Sequence, residues 1–201
     1  MIHAPIFTPV APTGLAAFGL GIILFVLALL SARARARDSA PDSGGRRAPA
    51  SITWIIVQGV GIGIAGFGPI NATLDPLAPA ALAQALAVLV LMASGVGLFD
   101  WASRTMGKNW SLVARTRGDA TLVTGGPFAY VRHPIYVALA CFMVAMAVAY
   151  GHLLNLILAV PIYAIGTALR IRYEEQLLRA EFGPAYDAYA GRVKRFVPGL
   201  F

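Results

Sequence analysis

Residues 125–136 gather glycines, aromatic side chains, an arginine and a histidine within one short stretch. Arg132 and His133 stand directly before Pro134, whose fixed backbone angle and missing N–H suit the first turn of a helix. The free amides and partial positive charge of that helix start would lie beside His133 and favour an anionic group. These residues predict a ligand site, although Arg132 and His133 could instead act only as anchors at a membrane surface.

A second polar cluster contains two adjacent carboxylates, Glu174 and Glu175, at the end of an apolar stretch. The spacings from Arg170 to Glu174 and from Glu175 to Arg179 are both i, i+4, so simple pairs on a helix surface would explain them. Two carboxylates just past an apolar segment are not needed to define membrane topology. If they face residues 125–136, they become ligands for a cationic or hydroxyl-bearing molecule.

The composition of the chain is that of a helical membrane protein. Only 12% of its 201 residues are charged, about half the usual ~25% of soluble domains, and its mean hydropathy is +0.72. We therefore expect an all-α polytopic integral membrane protein with a single domain over residues 1–201. The net charge of +7 does not indicate nucleic acid binding, since the arginines flank apolar segments. No metal-ligand spacing surrounds Cys141, so no metal site is predicted.

Five apolar segments predict five transmembrane helices, at residues 13–30, 52–70, 77–99, 135–150 and 153–169. The last two are short for a full span, which takes about 20 residues, and we expect them to form a tight helical hairpin with a kink at Pro161. Residues 13–99 would supply three spans. Residues 100–201 would form a catalytic half with a cytoplasmic cofactor pocket.

All 16 Lys and Arg residues lie between the first two spans, between the third and fourth, or after the fifth. The positive-inside rule therefore places these segments and the C-terminus in the cytoplasm and the N-terminus outside. The first span is expected to be retained rather than cleaved, because its positive charges follow the apolar run. The Ala/Gly/Arg-rich composition suggests a prokaryotic protein of the bacterial inner membrane. Residues 111–124, around Arg117-Gly118-Asp119, predict a short β-hairpin over the cytoplasmic surface.

Glycines in the second span allow two interpretations. Gly61, Gly63 and Gly66 match the dinucleotide pattern GxGxxG, but no strand precedes them and they lie within a membrane span, so we favour helix packing. Gly59 and Gly63 form a GxxxG pair, which would also permit a homo-oligomer. Trp110 could serve either as an interfacial aromatic anchor or as the lining of a cavity.

Residues 126–136, GPFAYVRHPIY, resemble the GPYxxVRHPxYxG signature of the isoprenylcysteine carboxyl methyltransferase and phospholipid methyltransferase superfamily. The stretch from Arg170 to Arg192 is similar to the second block of that superfamily, with the paired glutamates, Phe-Gly and two tyrosines in the same order. The resemblance covers roughly residues 100–200. Ala138 departs from the pattern, because many members carry glycine there.

The resemblance implies S-adenosylmethionine as the cofactor, bound on the cytosolic side, and a membrane lipid or lipidated molecule as the acceptor. Glycines allow close backbone approach and aromatic faces attract a sulfonium cation. The expected cofactor-binding residues are Gly125, Gly126, Tyr130, His133, Tyr136, Glu175, Tyr186 and Tyr189. The expected catalytic residues are Arg132, Arg170 and Glu174, since arginine can pair with a carboxylate of donor or acceptor and glutamate can accept a proton. Which glutamate contacts the cofactor stays open.

We therefore expect a membrane methyltransferase resembling isoprenylcysteine carboxyl O-methyltransferase, acting on the polar head of a lipophilic acceptor at the cytoplasmic face. The alternative is an NADPH-dependent membrane reductase of the sterol-reductase kind, which would need a longer cofactor cleft. A non-enzymatic transporter or scaffold should carry ionisable groups inside the membrane, whereas those of this chain cluster at one face.

Overall fold

The computed structural model describes residues 8–37, 51–110 and 121–199. These residues form six α-helices, which are α1 (Pro12–Arg37), α2 (Ser51–Ala65), α3 (Pro79–Met106), α4 (Pro134–Tyr150), α5 (Leu156–Phe182) and α6 (Pro184–Arg192). The described ranges hold no β-strand beyond an isolated parallel bridge between Val131 and Lys194, so the all-α prediction is confirmed. The hairpin predicted around Arg117-Gly118-Asp119 lies outside the described residues.

Proline and glycine mark the ends of several helices. Pro134 begins α4 and Pro184 begins α6, where the missing backbone N–H has no intrahelical partner to lose. Gly151 ends α4 with a left-handed φ of +76°, which only glycine adopts without cost. A β-carbon at Gly151 would strike the carbonyl oxygen of Thr8. The segment before α1 therefore packs directly on the turn between α4 and α5.

Three of the described helices, α1, α3 and α5, are long and apolar enough to cross a membrane, whereas α2 and α4 are shorter. The 17 residues of α4 extend about 26 Å at 1.5 Å per residue, slightly less than the ~30 Å hydrocarbon core of a bilayer. These helices support the membrane character of the chain, and three of the five predicted spans correspond to helices long and apolar enough to cross a membrane. The count of five spans stays a prediction. The spanning of α2 and α4, the orientation of the termini and the inner membrane stay predictions.

Helix α3 packs between α1 and α4. At one level Phe18 of α1 and Met92 of α3 share a core with two alanines of α4. At another level the ring of Trp110, which is 5% exposed, stands edge-on to Phe99 at 6.3 Å between centroids. Trp110 is therefore a packed core residue rather than an exposed interfacial anchor, and it ties the segment after α3 to the helices.

Helix α5 packs mainly along α2 and only lightly against α4, which corrects the prediction of a tight hairpin. The reason lies in two glycines. A β-carbon at Gly61 would lie 2.8 Å from the backbone nitrogen of Tyr163, and one at Gly166 would lie 2.9 Å from that of Gln58. Such close backbone approach requires small residues on both helices. The α2–α5 pair then contacts the rest of the protein through Met143 and other residues of α4.

The glycines in and directly after α2 that pack against other helices are not those of the predicted GxxxG pair. Gly61 and Gly66 lie against Tyr163 and Met146, whereas in the described part of the chain no atom lies within 4 Å of a β-carbon built on Gly59 or Gly63. The helix packing seen in this chain is therefore made by Gly61 and Gly66 rather than by the GxxxG pair. Self-association through Gly59 and Gly63 stays a prediction.

Candidate functional site

The conformation of the segment before α4 requires a glycine at position 126. Gly126 has a φ of +58°, and a β-carbon there would lie 2.5 Å from Thr105 Oγ1 and 3.2 Å from Trp101 Nε1. Gly126 thus lets the turn Gly126–Ala129 sit directly on α3. Its neighbour Gly125 is exposed, and no atom of the described residues lies within 4 Å of a β-carbon built on it. Of the two predicted glycines, only Gly125 leaves room for a ligand to approach the backbone.

The C-terminal segment lies alongside the start of α4. The backbone N–H of Arg132 donates to Lys194 O at 2.8 Å, and that of His133 donates to Arg195 O at 3.1 Å. The guanidinium of Arg132 also donates to Ala190 O at 2.7 Å and to Val193 O at 2.5 Å. Arg132 therefore holds the end of α6 and also faces the Glu175 carboxylate.

Glu175 is the centre of a saturated ionic group, here named the Glu175 cluster and formed by Glu175, Arg132, His133, Arg179 and Arg195. Arg195 binds it with two hydrogen bonds, from Nε to Oε1 at 3.0 Å and from NH2 to Oε2 at 2.7 Å. Arg132 NH2 donates to Oε1 at 3.0 Å, while His133 Nε2 lies 3.4 Å from Oε1 and Arg179 NH1 lies 3.9 Å from Oε2. The hydrogen bond to Glu175 raises the pKa of Arg195. Since Glu175 is 1% exposed, it has little capacity left for a ligand.

Glu174 is surrounded by a second group, the Glu174 cluster, formed by Glu174, Tyr136, Arg170 and His133. The Tyr136 hydroxyl donates to Glu174 Oε1 in a short hydrogen bond, and Arg170 Nε donates to the same oxygen at 3.2 Å. Within the described residues Oε2 accepts no hydrogen bond, and His133 Nδ1 lies 3.7 Å from it. The Glu174 side chain is 22% exposed, against 2% for Glu175. Glu174 therefore has an oxygen available to a ligand.

The two tyrosines of α6 dock that helix against the rest of the site. Tyr186 is fully buried and Tyr189 nearly so, and the Tyr189 hydroxyl donates to Phe128 O at 2.7 Å. Burial raises the pKa of Tyr189 to about 12, so its phenol stays neutral at physiological pH. Direct contact of Tyr186 or Tyr189 with a cofactor stays a prediction. Tyr130, in contrast, is exposed, and its ring stands 6.3 Å from that of Trp101.

The structure thus brings both sequence blocks together, with His133 lying between the two glutamates. Two participants were not singled out from the sequence. Arg195 lies twenty positions beyond Glu175 and has no spacing that would pair them. Gln58 accepts a hydrogen bond from Arg170 NH1 at 3.3 Å. The available signal for Gln58 was that it is the one strongly polar side chain in the apolar α2.

Comparison with known families identifies the class of protein. The model of the phospholipid methyltransferase family matches residues 83–185, about half of the chain. The chain therefore belongs to the phospholipid methyltransferase family, which confirms the resemblance found at residues 126–136. The matched segment contains both Glu174 and Glu175, whereas Gln58 and Arg195 lie outside it. Membership in this family does not favour the reductase alternative.

Three curated relatives are similar over part of the chain. The nickel-cobalt-cadmium resistance protein NccN of Alcaligenes xylosoxydans xylosoxydans is 36% identical over 110 residues, which cover 52% of this chain and 49% of that protein. The cobalt-zinc-cadmium resistance protein CzcN of Cupriavidus metallidurans is 31% identical with the same coverage, 52% and 49%. The protein-S-isoprenylcysteine O-methyltransferase of Schizosaccharomyces pombe is 33% identical over 88 residues, covering 43% and 37%. The chain spans half or less of the length of these relatives.

Proposed function

We propose that this protein is an S-adenosylmethionine-dependent methyltransferase that methylates the polar head of a lipophilic acceptor at the cytoplasmic face of the membrane. The observation that carries the proposal is the Glu174 cluster, which unites both blocks of the family-matched segment where apolar helices end. Membership in the phospholipid methyltransferase family and the likeness to an isoprenylcysteine methyltransferase support the same activity.

The residues present fit this cofactor. Glu174 Oε2, which accepts no hydrogen bond within the described residues and has His133 Nδ1 at 3.7 Å, could accept hydrogen bonds from an amino group or from ribose hydroxyls. Gly125 leaves open space for close backbone approach. The exposed rings of Trp101 and Tyr130 lie beside the same segment, and aromatic faces attract both adenine and a sulfonium cation. Arg170, whose guanidinium lies 5.3 Å from the centre of the Tyr136 ring, could pair with a carboxylate.

When bound, the cofactor supplies a methyl group activated by its sulfonium sulfur. With the cofactor held by the Glu174 cluster, its methyl carbon would bond to the acceptor atom, and the electron pair of the broken carbon–sulfur bond would leave with sulfur. An ionised carboxylate acceptor needs no base, whereas an amine would need a proton sink, for which Glu174 is the candidate. Alignment of donor and acceptor by the chain can supply roughly 7–11 kcal/mol of the barrier reduction.

The acceptor is proposed to be lipophilic because of where the site lies. Glu174 stands near the end of α5, a helix long and apolar enough to span the membrane, and large apolar side chains such as Ile157 and Ile165 are exposed along that helix. A lipid tail can occupy the bilayer beside these helices while its head reaches the polar cluster. A membrane lipid or a lipidated molecule meets this requirement.

Calorimetry on the purified protein in detergent tests the class of enzyme. We expect binding of S-adenosylmethionine and S-adenosylhomocysteine and none of NADPH. Binding of NADPH alone would restore the reductase, and binding of neither would remove the proposal.

A matched pair of variants then tests the site. Arg170→Gln should weaken binding or turnover at least about tenfold, the effect of one lost hydrogen bond to a charged group. Arg172→Gln is the control, because Arg172 is exposed and lies about 200° around the helix from Arg170. Equal losses in both variants would contradict the assignment of Arg170 to the site.

A further inference from the structure

Gln58 is a buried amide in the middle of the apolar helix α2, with 3% of its surface exposed. Its Oε1 accepts from Arg170 NH1 at 3.3 Å, and its Nε2 donates to Thr167 Oγ1 at 2.8 Å. Arginine carries only donors, so the amide oxygen must face Arg170 and the orientation of the amide is determined by its partners. Both ends of Gln58 are therefore used, and both partners lie on α5.

These contacts join Gln58 to the Glu174 cluster. Arg170 has Gln58 on one side and Glu174 on the other, at 3.3 Å and 3.2 Å respectively, while its guanidinium lies over the Tyr136 ring. A long arginine side chain has several rotamers to lose, and a partner on each side limits that freedom. The guanidinium is thus held between the helix interior and the carboxylate.

Close backbone packing between α2 and α5 keeps Gln58 near Arg170. Gly166 brings the backbone of α5 against Gln58 and the carbonyl oxygen of Trp54, with built β-carbon distances of 2.9 and 3.1 Å. A buried amide is costly unless its hydrogen bonds are made, and in a membrane it commonly serves only as glue between helices. The bond to Thr167 suits that glue role. The bond to Arg170 leads instead into the site.

We propose that Gln58 is a positioning residue for the methyl-transfer site, which holds the Arg170 guanidinium across Tyr136 and toward Glu174. The inference rests on the proposed function and extends it to α2, which lies outside the family-matched residues 83–185. Gln58 itself is not proposed to touch the reacting groups. It acts through Arg170.

Three variants distinguish a role of Gln58 in positioning Arg170 from a role only in helix–helix association. Gln58→Leu removes both hydrogen bonds at similar volume, and Gln58→Glu keeps an acceptor for Arg170. Thr167→Val removes the Nε2 contact and the Thr167–Tyr163 contact, but leaves the Gln58–Arg170 hydrogen bond in place. Positioning predicts that Gln58→Leu lowers the turnover number about tenfold, that Gln58→Glu restores most of it, and that Thr167→Val changes it less than about threefold. In an Arg170→Gln background the Gln58→Leu change should have no further effect, because residues that act as a unit are not additive. Equal losses for Gln58→Leu and Thr167→Val, or an additive loss in the double variant, would overturn the inference.

A second measurement does not depend on activity. In NMR spectra of protein labelled with heavy nitrogen in its arginine side chains, the Arg170 Nε signal is identified by its disappearance in Arg170→Gln. We expect this signal to shift or broaden in Gln58→Leu and to stay in place in Thr167→Val. An unchanged signal in Gln58→Leu would refute the positioning role even if the enzyme is active. If the wild type binds neither S-adenosylmethionine nor its product, the proposed function fails, and the NMR comparison still decides whether Gln58 holds Arg170.

Discussion

Glu174 and Glu175 are neighbours in sequence, yet they belong to two regions with different tasks. Glu175 is buried and receives hydrogen bonds from Arg132 and Arg195, which join α5 to the start of α4 and to the C-terminal segment. Glu174 points toward Tyr136 and Arg170, and its Oε2 accepts no hydrogen bond within the described residues. One step along a helix turns a side chain by about 100°, which is enough to separate the two environments.

The different surroundings of Glu174 and Glu175 indicate which carboxylate can bind a ligand. A buried carboxylate surrounded by cations has its lone pairs in use, and a ligand would have to displace one of those cations. A carboxylate with a free oxygen and partial exposure can accept a new partner without such a loss. We therefore propose a scaffold role for the Glu175 cluster and a ligand role for the Glu174 cluster. Direct contact of Glu175, His133 or Arg132 with a ligand stays a prediction.

The largest expected effect concerns stability. Glu175→Gln removes the negative charge that Arg132, His133 and Arg195 share, and breaking a buried ionic group by removing one partner typically costs about 3–5 kcal/mol. We expect a clear fall in the thermal unfolding temperature in detergent without ligand. The comparison with Glu174→Gln is the control. If Glu174→Gln destabilises the protein as much, the division between the two clusters is wrong.

The next effect concerns binding. Glu174→Gln removes the charge of a carboxylate whose side chain is 22% exposed, and a hydrogen bond to a charged group contributes about 1.5–3 kcal/mol. The affinity for S-adenosylhomocysteine should fall about 10- to 100-fold in calorimetry, while the unfolding temperature changes little. Full affinity in Glu174→Gln together with lost affinity in a folded Glu175→Gln protein would reverse the two assignments.

The course of the helices could be predicted from the sequence because their ends carry local signals. Pro134 and Gly151 bound α4 as expected, and the Arg170–Glu174 pair forms at the i, i+4 spacing. The choice of partners could not be predicted in the same way. The i, i+4 partner of Glu175, Arg179, lies at 3.9 Å, whereas Arg195 binds at 2.7 Å. That contact depends on the path of the chain after α6, which no local spacing encodes.

Two arginines of the Glu175 cluster allow a graded test. The side chains of Arg179 and Arg195 are equally exposed, at 47%. Only Arg195 makes a bidentate pair, and such pairs are the stronger ones. Arg195→Gln should therefore destabilise the protein by about 1–2 kcal/mol, and Arg179→Gln by less, although Arg179 also pairs with Asp187 at 3.0 Å. Thermal unfolding of both variants checks the order, and a larger loss for Arg179→Gln would contradict the bidentate geometry.

The smallest expected effect belongs to Tyr189, at the edge of the scaffold. Tyr189→Phe removes the hydrogen bond to Phe128 O and should cost about 0.5–1.5 kcal/mol of folding free energy. Burial raises the pKa of Tyr189 from 10.0 to about 12, so the unfolded chain releases this proton before the folded protein does. The stability due to Tyr189 is therefore complete below about pH 10 and is lost as the pH rises toward 12. Unfolding curves at pH 8 and 11 should show a smaller alkaline loss in Tyr189→Phe than in the wild type, whereas equal losses would mean that the Tyr189 phenol is not shielded from solvent.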